Sequence, residues 1–321
     1  MSGDIQTIEA EMTVSEALAG SRLDQIAAQL FPEYSRSRIQ QWIKQGDLRV
    51  NGERKKSKEK LFGGELLTLN AELAAEGEWN PEPLALDITY EDDTLLVINK
   101  PAGLVVHPAA GNRQGTLLNG LLSHHPQLEN VPRAGIVHRL DKDTTGLMVV
   151  AKTLAAHHSL IKQLQARTVS REYQAVCYGV MTGGGTVEAD IGRHPKARTK
   201  MAVVGKGGKP AITHYRVMQR YRDFSHIRVK LETGRTHQIR VHMAHIGYPL
   251  VGDSVYAGRL KIPKAASESL VEMLRGFPRQ ALHAAELGLI HPDTDDYMCW
   301  QAPLPADFET LLSVLQRENL A

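Results

Sequence analysis

The sequence predicts an α+β protein in two parts: a small N-terminal domain, then a larger domain built around a mixed, mostly antiparallel sheet. Three observations carry this expectation. The chain has 321 residues, more than one hydrophobic core usually serves. An acidic stretch containing Gly and Pro, AELAAEGEWNPEP at 71–83, interrupts it without any sustained apolar period. Beyond that stretch, short apolar runs ending at turn residues recur, with few helical segments between them. The expected bounds are 1–73 for the first domain (core about 20–70), 74–83 for a linker and 84–321 for the second domain.

In the first domain, Leu23, Ile26, Ala27 and Leu30 recur at helical spacing, and Phe31-Pro32 ends that helix. Ser35 suits the N-cap of a second helix with the apolar face Ile39, Trp42 and Ile43. Gly46 suits its C-terminus. Leu48-Arg49-Val50 runs into Asn51-Gly52, the dipeptide that best fits a two-residue hairpin turn. A further strand at 66–69 follows Gly63-Gly64. In the second domain, strands are expected at 95–98, 104–106, 172–177, 213–218 and 227–231, and helices at 116–124, 154–166 and 236–245.

Apolar residues make up 42% of the chain, enough for a sizeable interior, and the formal net charge is only +2. Cys177 and Cys299 lie in apolar runs without metal spacing and read as buried thiols in a reducing compartment. The first residues carry no apolar core of a signal peptide. No apolar run approaches the roughly 18 residues of a membrane helix. A cytoplasmic protein without a membrane segment is therefore expected.

Charge is unevenly distributed. Residues 34–60 hold nine Lys or Arg against three acids. Among them, Arg36, Arg38, Lys44, Arg54 and Lys55 fit contact with a phosphate backbone. Arg36, Gln40 and Lys44 form a polar stripe at i, i+4 spacing. Residues 193–222 hold nine Lys or Arg and no acid. Their glycine-rich turn at 205–209 is no nucleotide cradle, because G-x-x-x-x-G-K-[ST] is absent. A basic hairpin gripping a phosphodiester backbone fits better.

The densest polar segment is His138-Arg139-Leu140-Asp141-Lys142-Asp143-Thr144-Thr145-Gly146. It lies between apolar runs at 135–137 and 147–150 that read as strands. Basic, acidic and hydroxyl side chains thus share one tight connection, as in many active sites carried on rigid scaffolds. A solvated hairpin is the alternative. A kinase reading of His138-Arg139-x-Asp141 fails, since position 146 is Gly and no D-F-G exists. Residues 232–242 follow a strand and read as a helix start with Thr236 as cap, a place where free N–H groups can hold an anion. A zinc site of His237, His242 and His245 is disfavoured by its spacing. By themselves, His107, His138 and His214 read as hydrogen-bonded structural histidines.

HRLDKDTTGLMVVAK resembles the central motif of the RluA-type pseudouridine synthases. Three further motifs of that family occur in order: Val97-Ile98-Asn99-Lys100-Pro101-Ala102-Gly103 with Val105-Val106-His107-Pro108; Arg171-Glu172-Tyr173; and Thr233-Gly234-Arg235-Thr236-His237-Gln238-Ile239-Arg240-Val241-His242. The first domain resembles the S4 RNA-binding domain through Arg22-Leu23-Asp24, Ser35-Arg36-Ser37-Arg38 and Val50-Asn51-Gly52. That domain, Pro132-Arg133-Ala134-Gly135 and Pro249-Leu250-Val251-Gly252-Asp253 narrow the resemblance to the RluD subgroup. The sequence departs from the subgroup at Tyr256-Ala257-Gly258 and in a short tail, 316–321.

The resemblance implies isomerisation of uridine in large-subunit ribosomal RNA, free or in an assembling large subunit, by a monomer that needs neither cofactor nor metal. The subgroup's target is the cluster of uridines in the helix 69 stem-loop. Asp141 is then the catalytic carboxylate, acting either as a nucleophile on C1′ or by assisting departure of the base. Arg240 is implied as its ion-pair partner, and Tyr173 as the aromatic ring that stacks on the target base. A stacked base must be flipped out to react, and Arg139 matches the residue that fills the vacated space. Lys142, Thr144 and Thr145 fix the loop or contact phosphate, and His138, Arg235, His237 and Gln238 complete the implied substrate contacts. Asp143 is the alternative carboxylate, and alternation along an extended stretch would turn it away from Asp141. Asn99-Lys100-Pro101 reads as scaffold, and Gly146 as a position needing special backbone freedom. Two other readings remain: a family member acting on another ribosomal or transfer RNA uridine, and a non-catalytic RNA-binding assembly factor.

Overall fold

The computed structural model describes residues 6–32, 34, 36–73, 79–108, 112, 114–197 and 199–320. Ser35, expected as a helix cap, Arg198 of the basic segment, and linker residues 74–78 lie outside them. The chain divides into two compact units, Met1–Glu78 and Trp79–Ala321.

In the first unit, β1 (Gln6–Thr13) precedes α1 (Leu23–Leu30), α2 (Arg36–Gln45), β2 (Leu48–Val50) and β3 (Leu66–Leu73). The sheet order is β1-β3-β2, antiparallel throughout. Sequence reading missed β1, whose alternating Ile8, Ala10 and Met12 are separated by acids. Leu23, Ile26 and Phe31 of the α1 segment pack with Ile39, Trp42 and Ile43 of α2 over Leu48, Leu67 and Leu69 of the sheet. Asn51 (φ 51°) and Gly52 (φ 80°) form the expected tight turn, with reciprocal Val50–Glu53 backbone bonds of 2.9 Å. Gly46, at φ 88°, closes α2 by donating to Trp42 O at 2.8 Å. The polar stripe on α2 does not simply face water. Arg36 Nη2 (2.7 Å) and Gln40 Nε2 (2.6 Å) converge on the buried carboxylate of Asp24, where Arg22 joins them.

The second unit contains β4 (Ile88–Glu91), β5 (Leu95–Lys100), α3 (Leu117–His124), β6 (Thr145–Ala151), α4 (Leu154–Ala166), β7 (Ser170–Tyr178), β8 (Gly185–Glu188), β9 (Ile191–Arg193), β10 (Met201–Val203), β11 (Ile212–Arg220), β12 (Phe224–Leu231), α5 (Gln238–His245), α6 (Glu268–Gly276), β13 (Leu282–Ile290), β14 (Tyr297–Gln301) and α7 (Ala306–Leu320). Among the described residues, nine of these strands form one mixed sheet of order β4-β5-β6-β13-β7-β12-β11-β8, with β14 paired to β13. Only β6 and β13 pair in parallel. The separate β9–β10 ribbon meets the basic segment at Arg193 of β9 and carries β10 within it.

β5 and β6 are apolar on both faces, so alternate residues enter different layers. Leu96, Ile98, Met148 and Val150 join α3 through Leu117, Leu118 and Leu121. Leu95, Val97, Leu147 and Val149 join α4 through Ala156 and Leu160. A third cluster unites α6 and α7 through Leu270, Leu274, Phe308, Leu311 and Leu315.

Three local expectations need correction. Residues 104–106 form no strand, because the carbonyls of Val105 and Val106 receive the N–H groups of Leu117 and Leu118 and so cap α3. Residues 135–137 form no strand either. Arg133 and Ala134 adopt left-handed φ of 56° and 51°, and only Ile136 makes a bridge, to Val150. Cys177 is buried inside β7 as expected, but Cys299 is exposed on β14, whose sole sheet partner among the described residues is β13. No described helix is long and apolar enough to cross a membrane.

Candidate active site

Asp141 opens a tight turn in which its carbonyl accepts Thr144 N–H at 3.1 Å, immediately before β6. Several buried groups hold that turn. Lys100, at the end of β5, has no exposed surface and donates to the carbonyls of Pro101 (2.7 Å), Leu104 (3.1 Å) and Lys142 (2.8 Å). Burial pulls its pKa down to about 8, against the opposing fields of Asp143 and Asp141. Gln280 Nε2 donates to Thr144 Oγ1 at 3.0 Å, and Arg279 Nη1 lies 3.4 Å from the Asp143 carbonyl. Gly146 has φ 111°, and a Cβ there would meet Ala284 O at 2.2 Å, so the glycine serves both conformation and close sheet packing. Asp143 is thus separated from Asp141 by a turn, where the sequence suggested an extended stretch.

The Asp141 carboxylate meets α5 across 99 residues of sequence. Its Oδ2 accepts from Arg240 Nη1 at 2.9 Å. Arg240 is itself gripped by Asp253, Nε to Oδ2 at 2.7 Å and Nη2 to Oδ1 at 3.0 Å. Asp253 is held in turn by the N–H groups of Val255 (2.9 Å) and Tyr256 (3.0 Å). Burial works against the Arg240 charge, but Asp253 and Asp141 together raise its pKa above the ordinary arginine value. The guanidinium lies 5.1 Å from the Tyr256 ring centroid. Tyr256 Oη accepts Met201 N–H at 3.1 Å from β10 and lies 2.7 Å from His237 Nδ1. His237 Nε2 is 3.8 Å from Asp141 Oδ1, and burial outweighs Asp141 in lowering its pKa.

Asp141, His237 and Arg240 line a cavity of about 920 Å³, together with Tyr173 and Arg171 of β7. Tyr173 is 7% exposed, and burial raises its phenol pKa, with Arg171 opposing and Asp141 adding.

The RNA pseudouridylate synthase family model matches residues 94–245, the span that carries Asp141, Tyr173 and Arg240. Ribosomal large subunit pseudouridine synthase D of Pseudomonas aeruginosa is 62% identical over 304 residues, 95% of each chain. The chain belongs to the RNA pseudouridylate synthase family. Its counterpart of the same name in Escherichia coli K12 is 55% identical over 314 residues, 98% of this chain and 96% of that one. Among solved structures, human RNA pseudouridylate synthase domain containing 4 superposes with a TM-score of 0.56 at 27% identity, covering 71% of this chain and 92% of that one. The S4 domain model matches residues 21–65, within the first unit.

In this pseudouridine synthase the polar residues singled out from sequence divide into two groups. Asp141, Tyr173, Arg240, His237, Arg139 and Arg235 line the cavity, with Arg139 exposed and Arg235 tied through Nε to Pro210 O at 2.9 Å. Lys142 is exposed, and its carbonyl holds Lys100. The second group also borders the cavity, but its side chains are engaged within the protein. Gln238 is 2% exposed, and its amide is fully engaged with Thr233, the Arg235 N–H, Ile212 O and Thr213. It holds the loop and has no capacity left for substrate. Thr144 is 2% exposed and bonded to Gln280. His138 Nε2 accepts Val149 N–H at 3.0 Å, and burial drives its pKa down to about 3, so the ring is neutral. That bond fits the structural reading, and His138 also borders the cavity, where the substrate contact implied by the resemblance would lie. Thr236 does not cap α5; left-handed His237 (φ 56°) precedes the helix. Among the described residues no cluster of three potential metal ligands occurs.

In the S4 unit, Arg38 lies over Trp42 at 5.9 Å, Lys55 pairs with Glu53 at 3.3 Å, and Arg54 rests against Gly46. Arg36 is committed to Asp24, while Lys44 is exposed. Sequence reading missed Asp253, Tyr256 and Arg171 as site residues. Each is a polar residue within or beside an apolar stretch, which was the available signal.

Proposed function

We propose that the protein converts uridines of large-subunit ribosomal RNA, the helix 69 cluster in particular, to pseudouridine, using Asp141 as the catalytic carboxylate. One observation carries the assignment of Asp141: its carboxylate is paired with Arg240 at 2.9 Å, and Asp253 fixes that arginine from the other side. That pairing holds the carboxylate in a fixed orientation on the wall of the cavity. The carboxylate can attack C1′ of the uridine or assist loss of the uracil, which then rotates and rejoins through C5.

The uridine reaches the cavity by leaving its stack. Tyr173, on the cavity wall, offers the flipped base a ring to stack on, and exposed Arg139 is positioned to fill the space it leaves. The S4 unit and the basic β9–β10 ribbon supply affinity for the RNA backbone. The protein acts in the cytoplasm as a monomer, without cofactor, on rRNA or an assembling subunit. The domain limits proposed from sequence are 1–73, 74–83 and 84–321, beside compact units of 1–78 and 79–321.

Asp141→Asn tests the assignment. The variant should fold, bind RNA and release no tritium from RNA labelled at uridine C5. Normal turnover by that variant would remove Asp141 from the mechanism. Absence of tritium release by the native protein would favour a non-catalytic assembly factor. Pseudouridine mapping in rRNA from cells lacking the protein tests the choice of target.

A further inference from the structure

Arg171 is a buried cation without an anion. It is 7% exposed and lines the cavity. It precedes Tyr173 by two residues on β7, so both side chains leave the same face of the strand. Among the described residues its guanidinium makes one hydrogen bond, Nη2 to the Glu232 carbonyl at 3.3 Å, and its buried Nε has no partner. The acids around it are committed elsewhere: Asp141 to Arg240 at 2.9 Å, and Glu232 to Arg167 at 2.9 Å. Arg240, the other buried arginine of the cavity, is satisfied from both sides. Arg171 is not.

The cavity is also shaped to house this group. A Cβ on Gly234 would lie 2.8 Å from Arg171 Nη1. Gly234 has no left-handed φ, so its missing side chain serves space and not backbone freedom. His138 nearby is neutral, chiefly through burial and secondarily through the field of Arg171. A guanidinium removed from water with spare donors is costly to the free protein. That cost is recovered when an anion enters. Uridine is itself uncharged, and the anions that accompany it into the cavity are its flanking phosphodiesters.

We propose that Arg171 is a phosphate receptor, which takes a phosphodiester flanking the extruded uridine onto the unpartnered edge of its guanidinium; this rests on the RNA-uridine reading above. Such a contact anchors the backbone beside Tyr173 while the base turns.

The test uses the full-length protein and a synthetic RNA stem-loop of helix 69 sequence. The RNA is either unmodified or carries a neutral methylphosphonate on the 5′ or the 3′ side of one target uridine. Arg171→Met should bind unmodified RNA about ten- to hundredfold more weakly, the range for a charged hydrogen bond. A methylphosphonate at one of the two positions should weaken the native protein by a similar factor and leave Arg171→Met unaffected. The slope of log affinity against log salt should fall by about 0.7–0.9 in the variant. Arg171→Met should also melt above the native protein, since an uncompensated buried charge has gone, and Arg171→Lys should recover part of the affinity.

Losses that simply add at both phosphate positions would overturn the proposal, as would a lower melting temperature in Arg171→Met, which marks a structural arginine. So would unchanged binding with impaired turnover, which would move Arg171 to the departing base. If native protein binds this RNA but makes no pseudouridine in it, the substrate reading fails, while the binding cycle still decides the role of Arg171.

Discussion

Asp253 meets Arg240 side-on, with its two oxygens 2.7 and 3.0 Å from Nε and Nη2, and so leaves Nη1 for Asp141 at 2.9 Å. Asp253 cannot rotate away, because its Oδ1 also receives the Val255 and Tyr256 N–H groups. The arginine is therefore aimed before Asp141 engages it. Both carboxylates attract the same guanidinium, but only Asp253 is fully buried, with its side chain at 0% exposure against 17% for Asp141. The buried acid carries the structural load, and the more open one remains accessible to substrate.

Asp253→Ala should therefore damage turnover more than RNA binding. With Asp253 gone, Arg240 can turn both arms to Asp141 and rotate its carboxylate. We expect kcat to fall about a hundredfold with little change in KM. Leaving Arg240 buried with one partner should cost about 3 kcal/mol. Single-turnover kinetics and urea denaturation measure the two effects. An unchanged kcat would show that Asp141 is positioned without Asp253.

Lys100 gives the stability an alkaline signature. Its folded pKa of about 8 lies below the ordinary 10.5. Below pH 8 both folded and unfolded states carry the proton, and the cost of burying it is fully present. Between pH 8 and 10.5 the unfolded chain binds a proton that the folded state has shed, so stability rises with pH. The gain amounts to about 3 kcal/mol across that window. The difference in unfolding free energy between native protein and Lys100→Met should shift by this amount in favour of the native protein. A difference that stays flat with pH would mean that the ammonium is solvated.

What the sequence revealed and what it withheld follow from the range of the interactions. Helix α4 was legible over its full length, because Thr153 caps it by accepting Ala156 N–H at 3.1 Å and its apolar face is local. Helix α7 was equally legible through Phe308, Leu311, Val314 and Leu315 but went unread. The place of β13 was not legible, since it enters between β6 and β7 from more than a hundred residues downstream. Asp141, Tyr173 and Arg240 stood out as polar residues in ordered motifs. Gln238, Thr144 and Arg36 stood out equally, yet their hydrogen bonds are spent inside the protein. A side chain that holds a loop and one that holds a substrate have the same composition, and only the count of used donors and acceptors separates them.

Gly146→Ala should unfold the active-site turn. At φ 111° an alanine is strained by about 1–2 kcal/mol. The added carbon would also overlap Ala284 O at 2.2 Å, where β6 and β13 run in parallel. Backbone cannot move aside without breaking that pairing, so the total loss should reach about 3 kcal/mol or more. Thermal melting measures it, and a loss under about 1 kcal/mol would show that the β6–β13 junction relaxes freely.

Removing residues 1–78 should separate affinity from chemistry. The core of the first unit, from Val14 to Ala71, contains no residue of the second, and the second unit's clusters draw nothing from the first. A chain of residues 79–321 should thus keep a cooperative unfolding transition and the Asp141–Arg240 pair. It loses the nine Lys or Arg of 34–60, of which Arg36 and Lys55 are already paired with acids. The remaining cations are fewer than the sequence suggests, so the slope of log affinity against log salt should drop by only a few units. Turnover at saturating RNA should stay within about tenfold of the full chain, while KM rises steeply. If the slope does not change at all, the basic face of the S4 unit does not touch RNA, and the second unit must provide the backbone contacts alone.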